Sequence, residues 1–554
     1  MAQHSVTELR RTPGPDPCLQ RLIASLLVVR GTGHLLDAQR RYPQWELSNR
    51  ELQDLLELGV GGVILLGGSA AEVRLRTHQL RQWAQQPLLL CADVEEGVGQ
   101  RFEGASWLPP PLSLGRLYGR DPERALGLAR RYGECTGREA RAIGLNWVLG
   151  PVCDVNNNPA NPVINVRAWG ETPAVAAELA RAFYQGLQAQ GVLGCAKHFP
   201  GHGDTSVDSH LELPLLPHGL ERLEAVELPP FAALIEAGIE AVMSAHVVLS
   251  TLDQERPATL SRAVLTGLLR QQLGFAGLVV TDALVMEAIS GHYGAAEAAV
   301  LALEAGADLV LMPADARDAI DAIATAVHSG RLTRAQLQTS AARRSQALAR
   351  TYQPQVITEA WRELAEPDTD LVNAMLQATL EHQGGPMTPE ANLKTGQPQR
   401  PTGINLIRLE NSLQAPQAVP QLPALTLPAS RGWRALLLEP RSPSPWSGDR
   451  EQPLALDRLG AGPVLLQLFV RGNPFSGSAA AQEPWPQVIS QLQRAGQLAG
   501  LVVYGSPYLW EQLHPLLQPQ IPAAYSAAQM PQAQIAALDA LGLGDSLSSA
   551  GFTD

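Results

Sequence analysis

Between residues 20 and 315, short runs of Val, Ile and Leu alternate with longer Ala/Leu/Arg/Glu stretches whose apolar positions recur at helical spacing. The short runs are too continuously apolar for strands with one wet face, and they predict strands buried on both sides in a parallel sheet. Eight are found, at 22–29, 61–66, 87–93, 145–151, 192–197, 241–245, 278–282 and 308–312. Each is separated from the next by enough chain for a crossover helix. Eight strand-then-helix units in succession predict an α/β fold with an N-terminal (β/α)8, TIM-type barrel rather than an open doubly wound sheet. Several runs end in reactive side chains: Asp93, Asp154, Lys197 with His198, His246, and Asp282. A closed parallel barrel brings all such strand ends to one face, so residues far apart in sequence meet in one pocket.

The pattern changes beyond the barrel. Residues 315–348 read as closing helices and 359–380 as a further helix. Residues 384–403 carry the Gly, Pro, Thr, Gln and Asn of a linker, and 413–428 are Pro-rich. Strand-like runs at 434–438, 464–470, 501–504 and 523–525, with helical stretches at 485–498 and 532–541 between them, predict a smaller C-terminal α/β sandwich domain. The expected division is a catalytic barrel over 1–350, a helix and linker over 351–405, and an α/β domain over 406–554. That last domain shows no Gly-rich phosphate loop, acid pair or metal cluster in its sequence.

Composition narrows the function. Of 554 residues, 45% are hydrophobic and 17% charged, ordinary values for a core-forming protein. The net charge of −12 argues against nucleic acid, which demands a basic surface. No apolar run reaches the ~18 residues of a membrane span. The N-terminal segment lacks a basic-then-apolar leader, so a cytoplasmic location is expected. Five Cys, odd in number and without a CxxC pair, give no disulfide framework or zinc ribbon. Cys91, Cys153 and Cys195 sit in apolar runs and are expected to be buried thiols.

The densest chemistry lies in Lys197-His-Phe-Pro-Gly-His-Gly-Asp-Thr-Ser-Val-Asp-Ser-His210, directly after a strand. Pro200, Gly201 and Gly203 exclude a helix, and the glycines are expected to let the loop move. A solvated polar loop is the first of three readings. A metal site of His198, His202 and His210 with Asp204 or Asp208 is the second, although the helical HExxH spacing is absent. The third is sugar binding with proton transfer, in which Asp208 orients His210 as an acid/base. Asp282 ends the strand of Gly-Leu-Val-Val-Thr-Asp-Ala-Leu, where it serves either as a helix cap or as a nucleophile toward an anomeric carbon. The stretch Asp93-Val-Glu-Glu-Gly-Val-Gly-Gln-Arg-Phe102 and the amide-rich segment 154–171 with Arg167 suit hydroxyl and acetamido groups.

These four segments, in this order, resemble glycoside hydrolase family 3, and within it the bacterial β-N-acetylglucosaminidase (NagZ-type) branch. The resemblance covers most of residues 20–345, and the final ~150 residues resemble more weakly the family's C-terminal domain. It implies Asp282 as nucleophile, His210 paired with Asp208 as acid/base, and Asp93, Arg101, Arg167, Lys197 and His198 at sugar-binding positions, with Met286 as an apolar contact. It implies no cofactor and no metal, a carbohydrate as substrate, and a retaining exo-β-N-acetylglucosaminidase that acts on terminal GlcNAc, with peptidoglycan-derived muropeptides as the natural substrate. A β-glucosidase, a glucoside or GlcNAc phosphorylase and a non-catalytic sugar-binding homologue remain as alternatives. The chain departs from the family pattern at Val94, Glu96 and Val98, which stand where Gln, Gly and Arg are typical, and at Ala283, where a second acid often follows the nucleophile.

Overall fold

The computed structural model describes residues 16–205, 213–351, 367–387, 403–410, 421–439, 442–459, 462–471 and 483–544. Eight short parallel strands form the N-terminal part: β1 (Leu27–Thr32), β2 (Gly62–Leu66), β3 (Leu89–Ala92), β4 (Trp147–Val148), β5 (Cys195–Phe199), β6 (Ala241–Ser244), β7 (Leu278–Val280) and β8 (Val310–Leu311). β8, β1, β2, β3 and β4 are hydrogen-bonded in that order, as are β5, β6 and β7. Single parallel bridges, Trp147 to Leu193 and Val152 to Lys197 on one side and Val280 to Leu309 on the other, join the two arcs into a ring. The expected barrel is therefore present.

Its first strand differs from the sequence expectation. The apolar run at 22–29 is divided between two elements. Asp16 accepts the amide of Cys18 at 2.9 Å and Pro17 opens a helix, Pro17–Ala24, so only the end of the run joins β1. Elsewhere caps delimit the outer helices. Ser48 and Glu51 close a reciprocal box on Asn49–Leu58, and Asp121 with Pro122 starts the 21-residue helix Pro122–Ala142. The barrel interior and the helix undersides form one continuous apolar core.

The C-terminal part is a six-stranded sheet. Its strands are β9 (Glu381–Gln383), β10 (Gly403–Leu409), β11 (Trp433–Leu438), β12 (Val464–Val470), β13 (Leu498–Gly505) and β14 (Ala523–Ser526). The spatial order is β9-β14-β13-β12-β10-β11, parallel except for β9 against β14. Apolar clusters cover both faces, which makes it a three-layer α/β domain. β10 lies where the sequence pattern placed the end of a linker. Its Asn405 and Arg408 break the apolar run, yet Asn405 is buried and its amide donates to the Ala424 carbonyl at 2.8 Å. The Pro-rich stretch includes a short helix, Pro423–Ser430. Between the two parts, helix Thr369–Thr379 buries Leu371, Val372, Met375 and Leu376, and Ala528, Met530 and Ala533 of the C-terminal domain join the barrel's core. Among the described residues no helix is long and apolar enough to cross a membrane. Cys91, Cys135, Cys153 and Cys195 are buried free thiols and Cys18 is exposed.

Candidate active site

A ladder of alternating charges lies at the carboxyl ends of β3, β4 and β5. Lys197, the middle residue of β5 and 2% exposed, places Nζ 2.7 Å from Asp93 Oδ1 and 2.6 Å from Glu95 Oε1. Arg167 grips Glu95 with two guanidinium nitrogens, Nε at 2.7 Å and a terminal nitrogen at 2.8 Å, the fork geometry that carboxylates favour. Burial alone would push Glu95 toward its neutral form. Arg167 and Lys197 outweigh burial and hold its carboxyl well below the usual carboxylate range. The same pairing keeps Lys197 charged: burial opposes the ammonium, and Asp93 and Glu95 raise its pKa nonetheless. Asp93 keeps 37% of its side chain exposed, so its carboxylate is open to a ligand at the barrel mouth. Arg101 supports it from behind, donating from Nε to the Asp93 carbonyl at 2.9 Å.

His198 is the next residue on β5. Its Nδ1 lies 2.7 Å from Asp154 Oδ2, which fixes the ring and turns Nε2 away from the carboxylate. Asp154 is fully buried and also accepts the amide of His202 at 2.7 Å. Burial disfavours its charge, but His198 and His202 lower its pKa all the same. His202, by contrast, is driven down to about 4 by burial, so its ring is neutral around pH 7. Its Nδ1 lies 2.8 Å from Thr205 Oγ1.

The loop between β4 and the following helix carries Arg167. Two of its amides, Asn161 and Asn156, are engaged within the protein, on this loop and on its neighbours. Asn161 accepts the amides of Val163 and Ile164, each at 2.8 Å, and donates to the carbonyls of His202 and Gly203 at 2.8 and 2.9 Å. Asn156 accepts the amide of Asn165 at 3.0 Å. Trp169 anchors the far end of the loop against Tyr132 and Phe183, with centroids 5.4 and 5.2 Å away.

Asp282 follows β7 and caps no helix; the next helix, Glu287–Tyr293, has Met286 at its N-cap. Asp282 Oδ1 accepts the amide of Ala283 at 2.7 Å, leaving the residue half-buried on a strand-end turn. His246, at the end of β6, braces that turn through Nε2, 3.1 Å from the Ala283 carbonyl. Met286 is 7% exposed just beyond. Asp208 and His210 lie outside the described residues. Just before and after their loop, Asp204 Oδ2 is 3.0 Å from His218 Nε2, and Leu215–Leu216 pairs in parallel with Val248–Leu249.

Gly201 and Gly203 of this loop lie at close approaches. A Cβ on Gly203 would stand 1.8 Å from the Val155 carbonyl oxygen, and one on Gly201, at φ +136°, 2.8 Å from Glu227 Cβ. Among the described residues, the group with metal-ligating types in reach of one another is Asp204, His218 and Glu227. Arg222 donates to both carboxylates, at 3.4 and 3.0 Å, so part of their charge is already offset.

Sequence reasoning passed over Glu95, the acceptor shared by Lys197 and Arg167. The signal was a second acid two residues after Asp93, an interval that returns a side chain to the same side of an extended segment. It also passed over Arg471, which crosses from the C-terminal domain to Glu96.

Comparison with known proteins agrees with this architecture. Residues 19–347 match the profile of the glycosyl hydrolase family 3 N terminal domain, and residues 397–542 that of the bacterial glycosyl hydrolase family 3 C-terminal domain. The chain is 36% identical over 325 residues to β-hexosaminidase A of Pseudoalteromonas piscicida, an alignment that covers 53% of this chain and 54% of that relative, so the chain spans little more than half of its length. It is 40% identical over 284 residues to a β-hexosaminidase of Xylella fastidiosa, covering 50% of this chain and 84% of the relative. Among solved structures, a family 3 β-N-acetylglucosaminidase from Paenibacillus superposes with a TM-score of 0.73 at 28% identity, covering 95% of this chain and 97% of that one.

Proposed function

Because the chain belongs to glycosyl hydrolase family 3, we propose that it is a retaining exo-β-N-acetylglucosaminidase that removes terminal GlcNAc through a covalent glycosyl-enzyme intermediate. The observation that carries this reading is the ladder Asp93–Lys197–Glu95–Arg167 beside the oriented ring of His198, on the barrel face where Asp282 follows β7. Directed donors and acceptors of this kind suit a sugar ring, whose hydroxyls each demand a partner. The β-hexosaminidase relatives support GlcNAc as that sugar.

In this mechanism Asp93, Lys197 and His198 bind ring hydroxyls, with Arg167 holding Glu95 against Lys197 and Arg101 holding the backbone carbonyl of Asp93. Met286 lends an apolar contact. Asp282 attacks the anomeric carbon while His210, paired with Asp208, protonates the leaving oxygen. Neutral His210 then takes a proton from water, which displaces Asp282 and releases the sugar with retained configuration. We place the enzyme in the cytoplasm, with muropeptides carrying terminal GlcNAc as its natural substrate. We divide the chain functionally into a catalytic unit over 1–350 and a C-terminal unit that begins before residue 406, because β9 and β10 already belong to its sheet.

Release of 4-nitrophenol from its β-GlcNAc and β-glucose conjugates, with and without phosphate, tests the reading. GlcNAc-selective, phosphate-independent release is expected. Glucose selectivity would make the protein a β-glucosidase, phosphate dependence a phosphorylase, and binding without turnover a sugar-binding homologue.

A further inference from the structure

The C-terminal domain is built like a ligand-binding sheet turned to face the barrel. Its strand order reverses between β10 and β12, and in open α/β sheets the crevice beyond the carboxyl ends at such a reversal is where functional groups collect. Glu410 directly follows β10 and Arg471 directly follows β12; the Arg471 amide donates to Glu410 Oε2 at 2.8 Å. The Arg471 guanidinium leaves this crevice and pairs with Glu96 of the barrel. Arg471 is 7% exposed and Glu96 1%.

Glu96 is firmly held. Its Oε2 accepts the Trp107 indole N–H at 2.9 Å, its amide donates to Gln100 Oε1 at 3.0 Å, and its carbonyl accepts the Leu108 amide at 2.8 Å. It directly follows Glu95, the carboxylate shared by Lys197 and Arg167. Three carboxylates, Asp93, Glu95 and Glu96, thus stand beside three cations, Lys197, Arg167 and Arg471. Without Arg471, Glu96 would be a buried carboxylate lacking its cation, and would either take up a proton or draw Arg167 or Lys197 off Glu95. A second contact holds the neighbouring loop. Tyr508 of the C-terminal domain donates its hydroxyl to Glu171 at 2.7 Å and accepts from Asn156, while Arg116 joins Glu171 at 3.0 Å and Glu511 of the C-terminal domain.

We propose that the C-terminal domain is a working part of the sugar site, with Arg471 as a positioning residue that locks Glu96 and thereby sets the β3 loop bearing Asp93 and Glu95. Tyr508 does the same, more weakly, for the loop bearing Arg167. Glu96 stands where the family resemblance leads one to expect Gly. The proposal rests on the reading of the site as a GlcNAc-binding pocket.

The test is steady-state kinetics on 4-nitrophenyl β-GlcNAc for the full-length protein and the variants Arg471→Met, Glu96→Gln/Arg471→Met and Tyr508→Phe, at a temperature where melting curves show every variant folded. Arg471→Met is expected to raise KM by about tenfold or more with a smaller change in kcat, because ring-hydroxyl contacts bind ground and transition states alike. The double variant, which removes the stranded carboxylate too, is expected to recover most of that loss. Tyr508→Phe should raise KM by a few-fold. Wild-type KM in folded Arg471→Met, or a double variant as impaired as the single, would overturn the proposal. If Arg471→Met does not fold, the double variant and Tyr508→Phe decide: elevated KM in Tyr508→Phe with near-normal KM in the double supports it, and unaltered KM in Tyr508→Phe contradicts it. If the wild type hydrolyses no β-GlcNAc conjugate, the function above fails separately, and calorimetric titration with GlcNAc replaces kinetics. Weaker binding to Arg471→Met than to wild type still upholds the seam, and equal binding, including none to either protein, overturns it.

Discussion

Glu95 and His202 show how burial can act in opposite directions on neighbouring side chains. Glu95 stays charged because two cations are fixed on it, and His202 stays neutral because burial outweighs the Asp154 carboxylate nearby. Glu95→Gln removes the charge that Lys197 and Arg167 share, and a broken buried pair costs about 3 kcal/mol or more. Urea unfolding should show a loss of that order, with sugar binding weakened in parallel. For His202 the sign is set by the folded state binding fewer protons than the unfolded one. Both are neutral above pH 6.5; between 6.5 and about 4 only the unfolded chain is protonated, so stability falls as pH falls through that window. The shift corresponds to roughly 3 kcal/mol. The stability of wild type should drop by about that much relative to His202→Gln between pH 7 and pH 4, and parallel curves would contradict the assignment. The chemistry-bearing types were legible at this scale because they fall at strand ends. Their partners were not, because nothing in the spacing of Arg167 and Glu95, or of Arg471 and Glu96, says that they meet.

At the scale of elements, the strands were legible because a parallel barrel buries both faces and leaves uninterrupted apolar runs. The exceptions have local causes. Residues 22–24 are apolar enough for a strand but follow Asp16 and Pro17, which start a helix. β10 holds Asn405 and Arg408, whose cost is met by specific partners: the Ala424 carbonyl for the first and a forked pair with the two oxygens of Glu483 at 3.0 and 2.9 Å for the second. In the loops, composition alone does not show what a given amide or glycine touches. Asn161 ties the β4 loop to the β5 loop, and Gly203 lets the two backbones touch. Gly203→Ala would press a methyl group into the Val155 carbonyl and should cost about 1–3 kcal/mol by forcing the backbones apart. A lowered melting temperature together with raised KM is expected, whereas an unchanged melting temperature would mean the loops are not packed as described.

For the whole molecule, the two domains are coupled by an apolar seam and by charge. Ala528, Met530 and Ala533 bury into the barrel's core, and helix Thr369–Thr379 packs between the domains. Thermal unfolding of the full chain should therefore be a single cooperative transition, and two well-separated calorimetric peaks would contradict that coupling. Two domains were legible in the sequence because the apolar pattern changes after residue 348. Their mutual arrangement was not, because it depends on which edge of the second sheet faces the barrel, and the topological reversal at β10 and β12 becomes visible only once strand order is known.

The central claim is that Asp282 is the nucleophile of a GlcNAc-retaining enzyme. A 5-fluorinated β-GlcNAc fluoride slows turnover of a glycosyl-enzyme, so the protein is incubated with it, digested, and its peptides weighed. The account predicts one added fluoro-sugar on the peptide containing Asp282 and no label in Asp282→Asn, together with the loss of all but a trace of hydrolysis in that variant. A label on another residue, or an Asp282→Asn enzyme that turns over GlcNAc conjugates at the wild-type rate, would contradict it.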